Sequence, residues 1–489
     1  MVKLVIWDLD DTLWAGTLAE GDAVEPHGDR VAAIRELNRR GVVNAICSKN
    51  DPEVAKAKLV ELGLWDDFVF PVIRFLPKGE LVRQLLQDMQ LRAPDVAFID
   101  DNPVNLGEVA HFNPGIRVID AREDACDAFL RELVESLQGV NKSRVEQYRM
   151  LERKIGDREA SAGSNEEFLA SCGIRMALVR RTDNLAFASR IEELVNRTNQ
   201  LNFTRSRVAA GSIPEYVIDV ASNETYSVFV WDRYGDYGLV GFAAVERKVL
   251  LKHFLFSCRT MNMGVENAVA FVLSKTFRGM KLPVDAKMPP WITLVQPEDE
   301  EFKSVLARLG VEDGEPRVRV MANCQSGAIA HYMATPGTRF DNWPRVFKLE
   351  DVLAGNLPCE ARMLVYGAFN DYDHRYWTAP PSQQTFEDAC LALARHVESR
   401  DGMLAVILPP EVFEDERPKQ GVTQARFAAL NRIWRRVADR HASVRLVDLS
   451  DARYGCATAD PRHFDRDCLM RIGMECRALV DAADSPAGP

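Results

Sequence analysis

The sequence predicts an α/β protein of three domains, with parallel α/β units at both ends and an α+β unit between them. Three observations predict it. A chain of 489 residues exceeds what one hydrophobic core accommodates, since single cores stop growing near roughly 250 to 300 residues. Apolar runs (LVIW, VVNAICS, DVAFIDD, IRVIDA) alternate with helical patterns at the start of the chain, and the alternation returns near its end in VRVMANCQSG, RMLVYGAFND, MLAVILPP and VRLVDLS. That order is the signature of a parallel sheet. Between the two, YSVFVWDRYG, LVGFAAVE and VLLKHFLFS follow one another in hairpin style.

The first domain is assigned to residues 1–145, with VAAIRELNRRG and LVRQLLQDMQL as covering helices. The charged, partly helical stretch KSRVEQYRMLERKIGDREASAGSNEEF, ending in the Ala/Ser/Gly run 160–164, reads as a linker. The second domain, residues 146–312, adds the helix LAFASRIEELVNRTNQL and a helical stretch after Gly264. The third takes residues 313–489, and its tail ADSPAGP is expected to be disordered. The gaps from Thr12 to Ser48 and from Ser48 to Lys78 are too short for a separate cap domain, so the first domain should carry an open site.

Hydrophobic content of 47% supports real cores, and 61 basic against 72 acidic residues give a net charge of −11. Such a surface has no general attraction for nucleic acid or anionic membranes. No stretch approaches the roughly 18 unbroken apolar residues of a membrane span, and the N-terminus lacks a secretory layout, so the protein is expected to be cytoplasmic. The 10 cysteines are scattered with no C-x-x-C pair, which suits reduced packing residues better than a disulfide framework or zinc site.

VIWDLDDTLWAG places Asp8, Asp10 and Asp11 at the end of an apolar strand. Carboxylates that close raise each other's pKa unless a cation sits among them. Asp100 and Asp101 end a second strand, VAFIDD, and two acidic strand ends side by side make a hard-oxygen site suited to Mg²⁺. Ser48 and Lys78 follow two further strand ends and would serve a phosphoryl group. The chain order Asp-x-Asp-x-Thr, Ser, Lys, Asp-Asp resembles the haloacid dehalogenase (HAD) phosphatase superfamily in a capless form. The resemblance implies Asp8 as nucleophile, Asp10 as acid/base, Thr12 as support, Ser48 and Lys78 as phosphoryl binders, and Asp8, Asp10, Asp100 and Asp101 around the metal.

Three polar stretches mark the second domain: ELVNRTNQLNFT with Asn199, DRYGDYGLVGF, and FSCRTMNMGVEN. Arg259 to Gly264 opens a helix after a strand, where backbone N–H groups can meet a pyrophosphate. With WDLDDTLWAGTLAEGD, SKND, LPKGE and FIDDNP, these stretches resemble the FkbH-like family of polyketide pathways. That resemblance implies a GNAT-like (N-acetyltransferase-like) second domain. It also implies a phosphorylated short-acid substrate such as 1,3-bisphosphoglycerate, and an acyl carrier protein whose phosphopantetheine thiol receives the glyceryl unit. Cys258 is the candidate acyl carrier, His253 its candidate base, and Asn262 stands where the family commonly has glycine.

In the third domain Cys324 lies between a strand and a helix, a sharp-turn placement that exposes a nucleophile. Asn370 ends another strand in GAFND, and Asp460 stands three residues before His463 in DPRHF. This order resembles the SGNH hydrolase fold, which is flavodoxin-like, with Ala-Asn-Cys replacing Gly-Asp-Ser. Cys324, His463, Asp460 and Asn370 are then the candidate catalytic group, with Ser326 as a substitute nucleophile. Two other readings stay open: a Mg²⁺-dependent phosphatase of a sugar or nucleotide phosphate with accessory domains, and a non-catalytic carrier-protein scaffold.

Overall fold

Strand Leu4–Trp7 is buried along its whole length, and alternation sends its side chains to two cores. Val5 and Trp7 join one cluster, Leu4 and Ile6 the other. In the computed structural model, which describes residues 2–21, 23–309, 316–341, 346–356, 361–456 and 460–484, this strand is the centre of a five-stranded sheet. Its order is Val72–Ile73, Val43–Ser48, Leu4–Trp7, Val96–Asp100, Arg117–Asp120, and every pairing is parallel. Only a two-stranded ribbon, a short turn and helix Gly28–Arg39 separate the first two strands in sequence, and helix Pro52–Glu61 follows. The carboxyl ends of the central strands are therefore left uncovered by any inserted domain.

The second sheet has the order Leu250–Phe256, Gly235–Glu246, Asn223–Asp232, Ile174–Arg180, Ile292–Val295. The first three pairings are antiparallel and the last is parallel. Its hairpin-linked strands follow the expected α+β pattern, and helix Val265–Thr276 leads across to the parallel edge strand.

The stretch read as a partly helical linker forms helix Val145–Ala160, and it packs on both neighbouring cores. Tyr148, Leu151 and Ile155 pack on the first core, while Met150 belongs to the second. Lys154 Nζ reaches Asp232 Oδ2 at 2.7 Å and Tyr237 Oη at 2.8 Å. The helix is charged, yet its apolar side chains lie on opposite faces and each finds a different domain.

The third sheet runs Thr338–Phe340, Val318–Met321, Met363–Gly367, Met403–Leu408, Val444–Asp448, all parallel. This 2-1-3-4-5 order is a doubly wound arrangement, in which ligands bind at the carboxyl ends where the winding reverses. The reversal falls between Val318–Met321 and Met363–Gly367. The second and third units touch through Glu215, which pairs with Arg466 at 3.0 Å, and through Gly327, where a Cβ would meet Thr182 at 2.5 Å.

Cys456 and Cys468 form a disulfide, while the other described cysteines are free, in line with the expectation that most of them are reduced. The pairing is local, 12 residues apart, and no framework spacing announces it. The expected boundary at 312/313 and all but two residues of the tail ADSPAGP lie outside the described residues. Among the described residues, no helix is long and apolar enough to cross a membrane.

Candidate active sites

The first site forms where Leu4–Trp7 and Val96–Asp100 end side by side. The Asp8 backbone N–H donates to Ile99 O at 3.0 Å, which locks the two strand tips together. Asp11 takes a left-handed φ of 48°, and the chain turns so that the N–H groups of Thr12, Leu13 and Trp14 all meet Leu9 O. Asp8, Asp100 and Asp101 each offer an oxygen within 4.8 Å of the others. Lys78, 1% exposed, places Nζ 2.7 Å from Asp8 Oδ1 and 2.6 Å from Asp100 Oδ2. Asn105 and the Asn102 N–H hold Asp100 from behind at 3.0 and 2.9 Å.

Three carboxylates against one ammonium leave two negative charges uncompensated in a buried place. The donor set is all hard oxygen, which fits a divalent cation such as Mg²⁺. Burial pushes the Asp8 carboxyl up to about 6; Lys78 opposes this and Asp100 adds to it. Asp101 is raised by burial and then by Asp100. Burial disfavours the Lys78 cation, but Asp8 and Asp100 overcome it and hold the ammonium above its ordinary pKa.

Asp10 departs from the expected metal set. Its carboxylate accepts from Trp14 Nε1 at 2.9 Å, the Leu18 N–H at 3.0 Å and Asn50 Nδ2 at 2.8 Å, so it faces the ribbon side of the site, outside the cluster of Asp8, Asp100 and Asp101. Asn50, 1% exposed, also donates to Ser48 Oγ at 3.3 Å. The Ser48 hydroxyl in turn hydrogen-bonds Asp8. Sequence reading passed over Asn50, although it stands in SKND two residues past Ser48. Thr12 is fully buried and its Oγ1 has no hydrogen-bond partner among the described residues, while its carbonyl accepts from Arg30.

In the second unit Cys258 opens the short turn Cys258–Thr260 and is partly exposed. Asn262 takes a φ of 62°, the left-handed conformation that asparagine tolerates better than most side chains, so its place in a glycine-like position has a local explanation. Gly264 caps helix Val265–Thr276 at φ 78°, and a Cβ there would meet Pro289 at 3.0 Å. Burial lowers the Arg259 guanidinium to about 10, helped by Arg190 and Arg144, and its Nε donates to Ser257 Oγ at 3.2 Å.

His253 stands apart from this group. It is 1% exposed, its ring packs against Tyr216 and Phe242, and burial lowers it to about 4. Strand alternation explains the miss, because His253 lies on the face of Leu255, opposite Phe254 and Phe256. Asn199 is exposed and accepts from Arg207 Nη2 at 2.8 Å.

Burial raises the Tyr148 hydroxyl to about 12, and that hydroxyl sits within electrostatic reach of Arg144, Cys258, Arg259 and Asp95.

The third unit gathers its candidates at the winding reversal. Asn323 has a φ of 57°, and this sharp turn sets Cys324 directly after Val318–Met321. His463 Nδ1 lies 2.8 Å from Asp460 Oδ2. Asp460 and then the Cys324 thiol near it push His463 up to about 9, while burial raises Asp460 but His463 and the Arg462 N–H draw it down to about 2. Asn370 is buried beyond the end of Met363–Gly367.

Ser326 is not a substitute nucleophile. It is fully buried, donating to Asn323 O at 2.8 Å and accepting from the Ala322 N–H at 2.7 Å, so it braces the turn. Gln325 ties the turn to the loop of His463 through Arg462 O and the Phe464 N–H. Tyr376, whose hydroxyl accepts from Asn323 Nδ2 at 2.8 Å and lies beside Cys324, escaped sequence reading because no motif marks it.

No family model and no curated protein matches the chain. Among solved structures, the chain resembles the N-terminal phosphatase-domain part of BF1531 from Bacteroides fragilis, complexed with Mg. The identity is 23%, covering 29% of this chain and 41% of that one, with a TM-score of 0.25. It also resembles the cobalt-bound deoxy-D-mannose-octulosonate 8-phosphate phosphatase YrbI from Haemophilus influenzae. There the identity is 19%, covering 28% of this chain and 90% of that one, with a TM-score of 0.23.

Proposed function

We propose that the chain is a Mg²⁺-dependent, HAD-type phosphoryl-handling enzyme of the FkbH-like kind, which removes the ester phosphate of a short phosphorylated acyl phosphate such as 1,3-bisphosphoglycerate, leaves its mixed anhydride intact, and loads the acyl unit from that anhydride on a carrier-protein thiol. The observation that carries the phosphoryl half is the Asp8, Asp100 and Asp101 cluster with Lys78 bridging two of its members. Mg²⁺ would be held by those three carboxylates and would neutralise charge on a phosphoryl group. Asp8 supplies the nucleophilic carboxylate, Lys78 and Ser48 hold phosphoryl oxygens, and Asp10, fixed by Trp14 and Asn50, exchanges the proton at the bridging oxygen. Among the described residues no domain is inserted between Leu4–Trp7 and Val43–Ser48, which suits a site reached without a cap of that kind.

Cys258 supports the loading half by its partial exposure and by its place beside Arg259, whose guanidinium lies within reach of Arg190 and Arg144. Its thiolate would attack the carbonyl of a mixed anhydride, expel phosphate, and then yield the acyl group to the pantetheine thiol.

Incubation with 1,3-bisphosphoglycerate, Mg²⁺ and an acyl carrier protein, followed by intact-protein mass measurement, tests this reading. A glyceryl adduct on the carrier that disappears with Cys258→Ala, while phosphate release persists, is the expected result. Phosphate release with an unmodified carrier would refute the loading half.

A further inference from the structure

Four loops of the third unit leave the carboxyl ends of consecutive strands in its sheet, and neither phosphate removal nor carrier loading uses what they bring together. Asn323 follows Val318–Met321, Asp373 and His374 follow Met363–Gly367, Arg417 to Arg426 follow Met403–Leu408, and Arg462 follows Val444–Asp448. Open α/β sheets bind ligands at this end.

Ion pairs tie the loops into one crevice. Arg462, 7% exposed, donates from Nη1 to Asp373 Oδ2 at 2.8 Å, and Arg375 Nη2 meets the same oxygen at 2.6 Å. The Arg462 N–H donates to Asp460 Oδ1 at 2.9 Å, and Arg417 Nη2 stands 3.7 Å from that atom. Arg426 Nε donates to Tyr372 O at 3.4 Å, and the neighbouring His374 packs so closely on Gly421 that a Cβ there would overlap its ring.

Among the described residues, fifteen buried side-chain nitrogen and oxygen atoms make no hydrogen bond, and six of them lie on these loops. Four are donors: Arg417 Nε and Nη2, Arg426 Nη2 and Arg462 Nε. Two are acceptors: Asn323 Oδ1, in a residue 8% exposed, and Gln420 Oε1. The nearby carboxylates do not satisfy the donors. Asp373 is taken by Arg375 and Arg462, and Asp460 by His463 and the Arg462 N–H. Asp415 Oδ2 lies 3.4 Å from Arg417 Nε, and Asp460 Oδ1 lies 3.5 Å from Arg462 Nε, both without hydrogen-bond alignment. Burial lowers the Arg426 guanidinium, and no carboxylate opposes it. A charged N–H held away from water without an acceptor is costly, so the pattern calls for a ligand that brings oxyanion oxygens and hydroxyl protons together.

We propose that this crevice binds a small hydroxylated oxyanion, a hydroxy acid or a polyol phosphate, whose anionic oxygens accept from Arg417, Arg426 and Arg462 and whose hydroxyl groups donate to Asn323 and Gln420. The planar guanidinium matches carboxylate and phosphate alike. An apolar ligand would leave all six atoms unpaired. The site lies on a different sheet from the Asp8 cluster and needs no reaction at Cys324, so the inference goes beyond the phosphoryl and loading reading.

Hydrogen exchange of the full-length protein in millimolar D-glycerate and, separately, in glycerol 3-phosphate tests the proposal. At least one of the two should slow amide exchange in residues 417–426 and 460–464, and the compound that does so tells hydroxy acid from polyol phosphate. Glycerol, which lacks the charge, and sulfate, which lacks the hydroxyls, should each need at least about tenfold more to protect these segments. In Arg426→Gln the concentration for half-protection should rise by about tenfold or more, while Asp8→Asn keeps the wild-type value. Absence of protection by both compounds in the wild type overturns the proposal. Equal protection in Arg426→Gln, once circular dichroism shows it folded, or protection by glycerol or sulfate as strong as by either test compound, overturns it as well. The readout is confined to the third unit, so the outcome is separate from that of the phosphoryl reading.

Discussion

Lys78 is a fully enclosed ammonium between two carboxylates, and its removal exposes what the cluster costs. Lys78→Met should destabilise the protein by about 3–5 kcal/mol, because Asp8 and Asp100 would then face one another buried and unpaired. Urea unfolding with and without Mg²⁺ measures this, and the metal should restore part of the loss. At Cys324 the pH dependence has a definite sign. His463 is raised from 6.5 to about 9, so its contribution to stability is complete below pH 6.5 and is lost as pH rises through 9. The melting temperature of wild type should therefore fall more between pH 6.5 and 9.5 than that of His463→Asn. Asp8 and Asp101 follow strands and His463 stands in a loop beside Asp460, each in a spaced motif that the sequence displays in that order. Asn50 and Tyr376 act through contacts that close only in three dimensions, and His253 misled because proximity in sequence hid the face of the strand on which it lies.

Helix Val145–Ala160, read in sequence as a partly helical linker, shows that a charged helix can still pack on two cores. It carries Glu, Arg, Lys and Asp along most of its length, yet Tyr148, Leu151 and Ile155 form a stripe at helical spacing. Its Lys154 meets the fully buried Asp232 carboxylate from the second unit. Lys154→Ala should cost about 3–5 kcal/mol in urea unfolding, since it strands that carboxylate, whereas Lys154→Ala with Asp232→Ala should recover much of the loss. The strands themselves were legible from their apolar runs, and the hairpin order of the second sheet from their close succession. The Cys456–Cys468 bond was not, because two cysteines 12 residues apart carry no pairing rule of their own. It closes the loop that bears Asp460 and His463.

Across the whole molecule, the first and third sheets present their candidate groups at the carboxyl ends of parallel strands, as open α/β sheets do. The α+β unit between them presents Cys258 after an antiparallel strand and is joined to its neighbours through helix Val145–Ala160 and the Glu215–Arg466 pair. The order of the three sheets along the chain follows the apolar runs of the sequence. The electrostatics of the first site support the rest of the account: two uncompensated negative charges among Asp8, Asp100 and Asp101 invite a divalent ion and a phosphoryl group. Phosphate release from 1,3-bisphosphoglycerate, followed with and without Mg²⁺ in wild type and Asp8→Asn, tests this most directly. The account predicts release that requires Mg²⁺ and falls by at least about a hundredfold in Asp8→Asn. Release that ignores the metal, or survives the Asp8 substitution, would contradict it.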